Sequence, residues 1–196
     1  LGSGGGQQVP ILAAAGAKVT SFDNADVQLE KDKQVCATHG LEINIEQGDM
    51  CDLSRFDDSV FDLVFHPVSN TYVPDVKPIW RECYRVLGKK GVLLAGFINP
   101  LNFLFTENDG SDDTGLQVIH AIPYAEIDTL SEEELAAALE RNMMLTWGHT
   151  LEDQIGAQLD AGFILTGLYE GRRQDDRAPN INQFIDTYIA TRATKI

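Results

Sequence analysis

The chain has 196 residues, 43% of them hydrophobic, and a formal net charge of −15. That is enough apolar sequence for one globular core, yet no run of about 18 apolar residues occurs that would cross a bilayer, and nothing at the start reads as a signal peptide. So acidic a surface repels phosphate backbones, which argues against nucleic acid as a partner and for a small-molecule substrate. Three scattered cysteines, Cys36, Cys51 and Cys83, form no CxxC pair and suit a reducing, cytoplasmic setting.

In chain order, the first feature is a glycine loop, Leu1-Gly2-Ser3-Gly4-Gly5-Gly6. Residues 7–15 read as a helix that tolerates Pro10 in its first turn. Lys18 to Phe22 reads as a short buried strand ending at Asp23. Asp26 to His39 reads as a second helix, with Asn24 as its cap and Gly40 as its stop. Leu41 to Ile45 alternates with period two, and Phe61 to Phe65 is a further strand. Val76, Ile79, Trp80, Cys83, Val86 and Leu87 then line one face of a strongly amphipathic helix. A glycine-bracketed turn leads into the apolar strand Val92–Phe97. Such βαβ alternation predicts a doubly wound, mostly parallel sheet with helices on both faces.

Beyond Pro100 the pattern loosens. Residues 106–115 read as a polar loop. Asp109-Gly110 looks like part of a calcium loop, but Phe105 would fall at its first ligand position, so no metal is expected. Ser131 to Glu134 spells a capping box, Thr150 caps another helix ending at Gly162, and the runs Phe163–Tyr169 and Thr187–Thr191 close the chain as strands. No linker divides the sequence, so residues 1–196 read as one domain, with 100–147 as a substrate-side lid.

A glycine loop lets a ligand approach the backbone closely, and a carboxylate one strand away can accept both hydroxyls of a ribose. Together they point to a nucleoside cofactor. The spacing resembles that of class I S-adenosylmethionine-dependent methyltransferases. Gly2, Gly4 and Gly6 match that family's glycine motif, Asp23 the acidic end of its second strand, and Gly48-Asp49-Met50-Cys51-Asp52-Leu53 its third motif. FDLVFH followed by Pro67-Val68-Ser69-Asn70 is similar to its fourth strand and substrate-facing loop, and RECYRVLGKKGVLLAGF to its next helix, turn and strand.

The resemblance implies a Rossmann-like sheet with an antiparallel C-terminal strand, and S-adenosyl-L-methionine as cofactor, with S-adenosyl-L-homocysteine as product. It implies cofactor contacts at Gly2, Ser3, Gly4, Gly6, Asp23, Asn24, Gly48, Asp49, Met50 and His66. Asp23 would take the ribose, Asp49 the adenine amino group, and Met50 the face of the ring. On the acceptor side His66 is a candidate general base, and Asn70 and Tyr72 are candidates to orient the acceptor; Asn99, Trp147 and His149 are weaker candidates. Because the sequence starts inside the first motif, the first strand is expected to be missing or incomplete, as in a fragment of a protein several tens of residues longer. A nicotinamide dehydrogenase would need glycine where Gln7 stands. A non-catalytic cofactor-binding protein of the same fold is the other alternative.

Overall fold

A computed structural model describes residues 1–105, 116–173 and 180–196. The polar loop predicted at 106–115 and the calcium-like dipeptide within it lie outside the described residues.

Pro10 sets where the first helix starts. It has no N–H to donate, so it sits in the first turn of α1, Val9–Ala14. Strand β1, Thr20–Asp23, then connects through α2, Asp26–Thr38, to β2, Asn44–Gln47, which pairs with β1 in parallel. A second βαβ unit follows: β3, Phe61–Pro67, leads through α3, Lys77–Val86, into the parallel strand β4, Leu87–Ile98. At the C-terminal end, β7 (Phe163–Gly171) and β8 (Tyr188–Lys195) complete a sheet ordered β3-β4-β8-β7. β8 is antiparallel to both neighbours, so β3, β4 and β7 run one way and β8 opposes them. This is the predicted doubly wound, mostly parallel α/β architecture with a reversed final strand.

Among the described residues no strand pairs with both halves. β1 is paired only with β2, and β3 only with β4. Leu1 and Gly2 bridge the top of the gap: the Leu1 amine donates to Phe65 O at 2.9 Å and Gly2 N to Phe22 O at 2.8 Å. Below them a groove of about 610 Å³ is lined by Val19, Phe22, Leu53, Phe61 and Val86, among others. The groove belongs to the sheet's frame and not to its carboxyl edge, where the chemistry-bearing residues sit.

The core forms around α3. Val76, Ile79, Trp80, Cys83, Val86 and Leu87, read as one apolar face, are all fully buried. Each large aliphatic side chain so buried contributes about 1.5–3 kcal/mol, so a charge placed at Ile79 would break the packing. Arg85, on the flank of α3, donates to Leu53 O, Phe56 O, Asp58 and Glu82, while Glu82 accepts from Leu53 N. These bonds fix the loop that follows β2.

Three local readings need correction. The glycine-bracketed stretch read as a turn before Val92 is part of β4, which starts at Leu87. Asn24 does not cap α2: the N-cap is Ala25, without a side-chain bond, and the Ala25 amide is taken by Asp23 Oδ1 at 2.9 Å. The helix predicted after Thr150 is split. Thr150 does cap it, accepting from Asp153 N at 3.0 Å, but Glu152–Gly156 is π-helical and α5 covers only Ala157–Asp160. Trp80 Nε1 donates to Asp153 O at 3.0 Å, so this widened turn is stitched to the core helix.

In the region read as a lid, a 3₁₀ turn at Pro100–Leu104 precedes β5, Tyr124–Ala125, and α4, Glu132–Glu140; β6, Trp147–Gly148, pairs antiparallel with β5. The Ser131–Glu134 capping box forms as predicted. Phe103 stacks on Tyr124 and covers Gly148, where a Cβ would meet the Phe103 ring at 2.5 Å.

Candidate functional site

Gly2, Gly4, Gly5 and Gly6 all have left-handed backbone angles, φ between 65° and 84°. At Gly2 an added Cβ would lie 1.9 Å from Ser69 Oγ, so close packing excludes any side chain. At Gly4 it would meet nothing nearer than 3.9 Å, which leaves an open face. The loop is strung between two carboxylates. Ser3 N donates to Asp23 Oδ2 at 2.8 Å, and Gly6 N donates to Asp32 Oδ1 at 2.5 Å. Between these anchors the Gly4 and Gly5 amides have no hydrogen bond among the described residues.

Asp32 was not singled out from the sequence. It is fully buried and also accepts from Ser21 Oγ at 2.6 Å. A signal was present: Leu29, Asp32 and Cys36 occupy one buried stripe of α2 at helical spacing, so an acid stands where an apolar residue belongs.

Asp23 ends β1, half-buried, with each carboxylate oxygen accepting one backbone amide, Ser3 at Oδ2 and Ala25 at Oδ1. A carboxylate has about four lone-pair sites, so both oxygens keep acceptor capacity. Asn24 beside it is exposed, and its carbonyl accepts from Gln47 Nε2 at 3.0 Å. Asp49 is exposed beyond the end of β2, its Oδ1 accepting from Cys51 N at 2.8 Å. Met50 is half-buried against the core, with its terminal methyl 3.7 Å from where a Gly2 Cβ would stand. Gly48 has a steric reason of its own: a Cβ there would lie 2.6 Å from Phe22 Cζ. The glycine loop, Asp23, Asp49 and Met50 therefore gather at the carboxyl end of β1 and β2.

His66 is placed differently from the expectation of a residue at the site's mouth. It is fully buried, edge-on to Trp80 with ring centroids 5.7 Å apart. Nδ1 lies 3.0 Å from Leu1 O; a carbonyl can only accept, so Nδ1 carries the proton. Nε2 is buried without a partner. Burial above all, and the nearby Leu1 ammonium next, pushes the imidazole down to about 3, so it is neutral at physiological pH and a feeble base. That placement does not fit a general base.

Asn70 is also fully buried, in the 3₁₀ turn Ser69–Tyr72. Its Nδ2 donates to Gln154 Oε1 at 3.1 Å, and its backbone carbonyl accepts from His149 Nε2 at 3.2 Å. Burial pushes His149 below its ordinary range. Gln158 Nε2 donates to Gln154 O at 2.8 Å, and Thr191 Oγ donates to Gln158 Oε1 at 2.9 Å. A buried polar strut so runs from β8 to the loop after β3, a feature the sequence reading missed. Thr71 Oγ donates to Trp147 O at 3.2 Å, tying the same loop to β6. Of the three predicted acceptor-side residues, Tyr72 alone reaches solvent, at 41% exposure. Asn99 holds structure: its amide donates to Asp186 O and its Oδ1 accepts from Leu101 N. Among the described residues no cluster of His, Cys, Asp and Glu has metal-binding geometry, and no helix is long and apolar enough to cross a membrane.

Known proteins resemble the chain as follows. The family described as a methyltransferase domain matches residues 1–95. The uncharacterized methyltransferase YbaJ of Bacillus subtilis is 47% identical over all 196 residues, which span 75% of that protein. A sarcosine/dimethylglycine N-methyltransferase of Halorhodospira halochloris is 32% identical over 124 residues, 62% of this chain and 41% of that enzyme. Among solved structures, an S-adenosylmethionine-dependent methyltransferase from Mesorhizobium loti superposes with a TM-score of 0.65 at 16% identity, covering 91% of this chain and 80% of its own.

Proposed function

Because the chain belongs to the methyltransferase family, we propose that it transfers a methyl group from S-adenosyl-L-methionine to a small-molecule acceptor, leaving S-adenosyl-L-homocysteine. The observation that carries this reading is the glycine loop strung between two carboxylates, with the free Gly4 and Gly5 amides beside Asp23 and Asp49. These residues fit the cofactor. The open face at Gly4 admits close approach, the free amides offer donors to its carboxylate end, and the remaining lone pairs of Asp23 suit a ribose diol. Asp49, exposed beyond β2, is placed to accept from an adenine amino group, and Met50 to pack on the ring.

When bound, the cofactor supplies a methyl already activated on a sulfonium, so the protein's tasks are positioning and exclusion of water. Gly2 and Ser69 pack against each other, which presses the loop after β3 onto the glycine loop. His66 backs that contact as a neutral wall, and Asn70 holds the turn through Gln154 and His149. Tyr72 is the group we assign to meet the acceptor. With a net charge of −15 the surface disfavours nucleic acid, which supports a small acceptor. The free cysteines are in keeping with a cytoplasmic enzyme.

Calorimetric titration of the intact protein with S-adenosyl-L-homocysteine tests the reading. One saturable site is expected; no binding at millimolar ligand would overturn it.

A further inference from the structure

We propose that Asp32 is a positioning residue for the cofactor loop, an assignment that rests on the reading of that loop given above. Its carboxylate is fully buried on the apolar stripe of α2, between Leu29 and Cys36. No Lys, Arg or His lies within ion-pair distance of it among the described residues. Burying an ion without a counter-ion is costly, and a well-packed hydrophobe at such a place commonly serves stability as well or better. Stability alone therefore does not account for an acid at this position.

What the carboxylate does, and a hydrophobe would not, is hold one end of the glycine loop. Oδ1 accepts the Gly6 amide and Oδ2 the Ser21 hydroxyl. Ser21 stands two residues before Asp23 on β1, and Asp23 holds the other end of the loop through Ser3 N. Both ends are thereby referred to the same strand. Four glycines with φ near +65° to +84° have wide conformational freedom when unanchored. Ligand binding would then have to order them, which weakens affinity. Asp32 orders them beforehand.

The test is a pair of variants, each read by S-adenosyl-L-homocysteine calorimetry and by thermal melting. In Asp32→Asn the side-chain oxygen still accepts from Gly6 N, and the Ser21 hydroxyl can turn to accept from the new amide. In Asp32→Leu both bonds vanish. The Leu variant, which strands the Gly6 amide and the Ser21 hydroxyl, is expected to bind about tenfold more weakly and to melt below the parent, and the Asn variant to stay within about threefold of the parent affinity. A Leu variant that melts early but binds with parental affinity when folded would show a merely structural role and overturn the proposal, as would equal loss in both variants. Should Asp32→Leu not fold, Ser21→Ala removes only the Oδ2 partner. A few-fold loss of affinity in a folded protein supports the proposal, and unchanged affinity refutes it. If the parent itself fails to bind the ligand, the functional reading falls separately. Hydrogen exchange at the Gly6 amide still decides the anchor: if it holds, exchange is slow in the parent and Asp32→Asn, fast in Asp32→Leu and intermediate in Ser21→Ala, and if it does not, exchange is equal in all of them.

Discussion

Replacing His66 with phenylalanine should make the protein less stable at pH 7 and more stable at pH 5. The ring keeps its edge contact with Trp80, 5.7 Å between centroids, and loses the hydrogen bond to Leu1 O together with the longer contact to Ser69 Oγ at 3.4 Å. A net hydrogen bond is worth about 1 kcal/mol, so the variant should be weaker by about that much at pH 7. The order changes on acidification. An unfolded histidine titrates near 6.5, whereas burial holds the folded one at about 3. The folded value lies below the unfolded one, so the full stability is present above pH 6.5 and is lost progressively as the pH falls toward 3. At pH 5 the unfolded chain binds a proton that the folded protein refuses, and the parent forfeits about 2 kcal/mol that the variant keeps.

Urea unfolding followed by tryptophan fluorescence at pH 7 and pH 5, parent beside variant, measures the crossing. Every other group, His149 included, titrates in both proteins, so the difference isolates His66. Equal loss of stability between the two pH values in parent and variant would refute the reasoning, because it would mean the imidazole is not held neutral by burial. The same fact bears on catalysis. A base that protonates only near pH 3 has little driving force to take a proton at neutrality. The variant's pH–rate profile should accordingly keep the parent's shape.

Asp23 offers a contrast with Asp32. Each of its oxygens accepts from a backbone amide, Ser3 and Ala25, which cannot reverse roles as a hydroxyl can. Asp23→Asn must then turn its own NH₂ toward an N–H, so it should weaken S-adenosyl-L-homocysteine binding by about 1–3 kcal/mol, close to the effect of Asp23→Ala; calorimetry in which the Asn variant matches the parent would contradict this. Gly2→Ala should drive Ser69 out of place, since its Cβ would sit 1.9 Å from Ser69 Oγ, and cofactor affinity should drop at least tenfold in a binding titration. Gln154→Leu should lower stability by about 1 kcal/mol, because it removes the better acceptor of Asn70 Nδ2 and leaves it only Gly96 O at 3.5 Å; an unchanged midpoint in the same urea assay would contradict this. Duplex DNA should bind poorly at physiological salt, and a sub-micromolar affinity in a filter assay would overturn the small-molecule reading.

What was legible in the sequence was whatever periodicity and strand ends encode. Ile79, Trp80, Cys83 and Val86 at helical spacing gave the buried face of α3, because one apolar stripe has one stable place to go; Val76 is its N-cap and Leu87 already belongs to β4. Asp23 was legible because a polar residue closing an apolar strand in an α/β sheet falls at the carboxyl edge, and Asp49 through the resemblance of residues 48–53 to the methyltransferases' third motif. Asn24 failed as a cap because the helix starts one residue later, with Ala25 at the N-cap, and Asp26 Oδ1 takes the Val27 amide.

His66 failed through parity. Strand side chains alternate, so His66 shares a face with Val64, and both are buried. Its place at the end of the strand fixed its height on the sheet edge and not the face it takes, and the face it takes is the one that packs on Trp80. Asp32 was hidden by the opposite habit, that of treating any acid on a helix as solvated. Its position between Leu29 and Cys36 on the buried stripe breaks the helix's own pattern. A pattern broken at one buried position, with a hydroxyl and a glycine amide both within 2.6 Å, marks where local packing has given way to the demands of a binding loop.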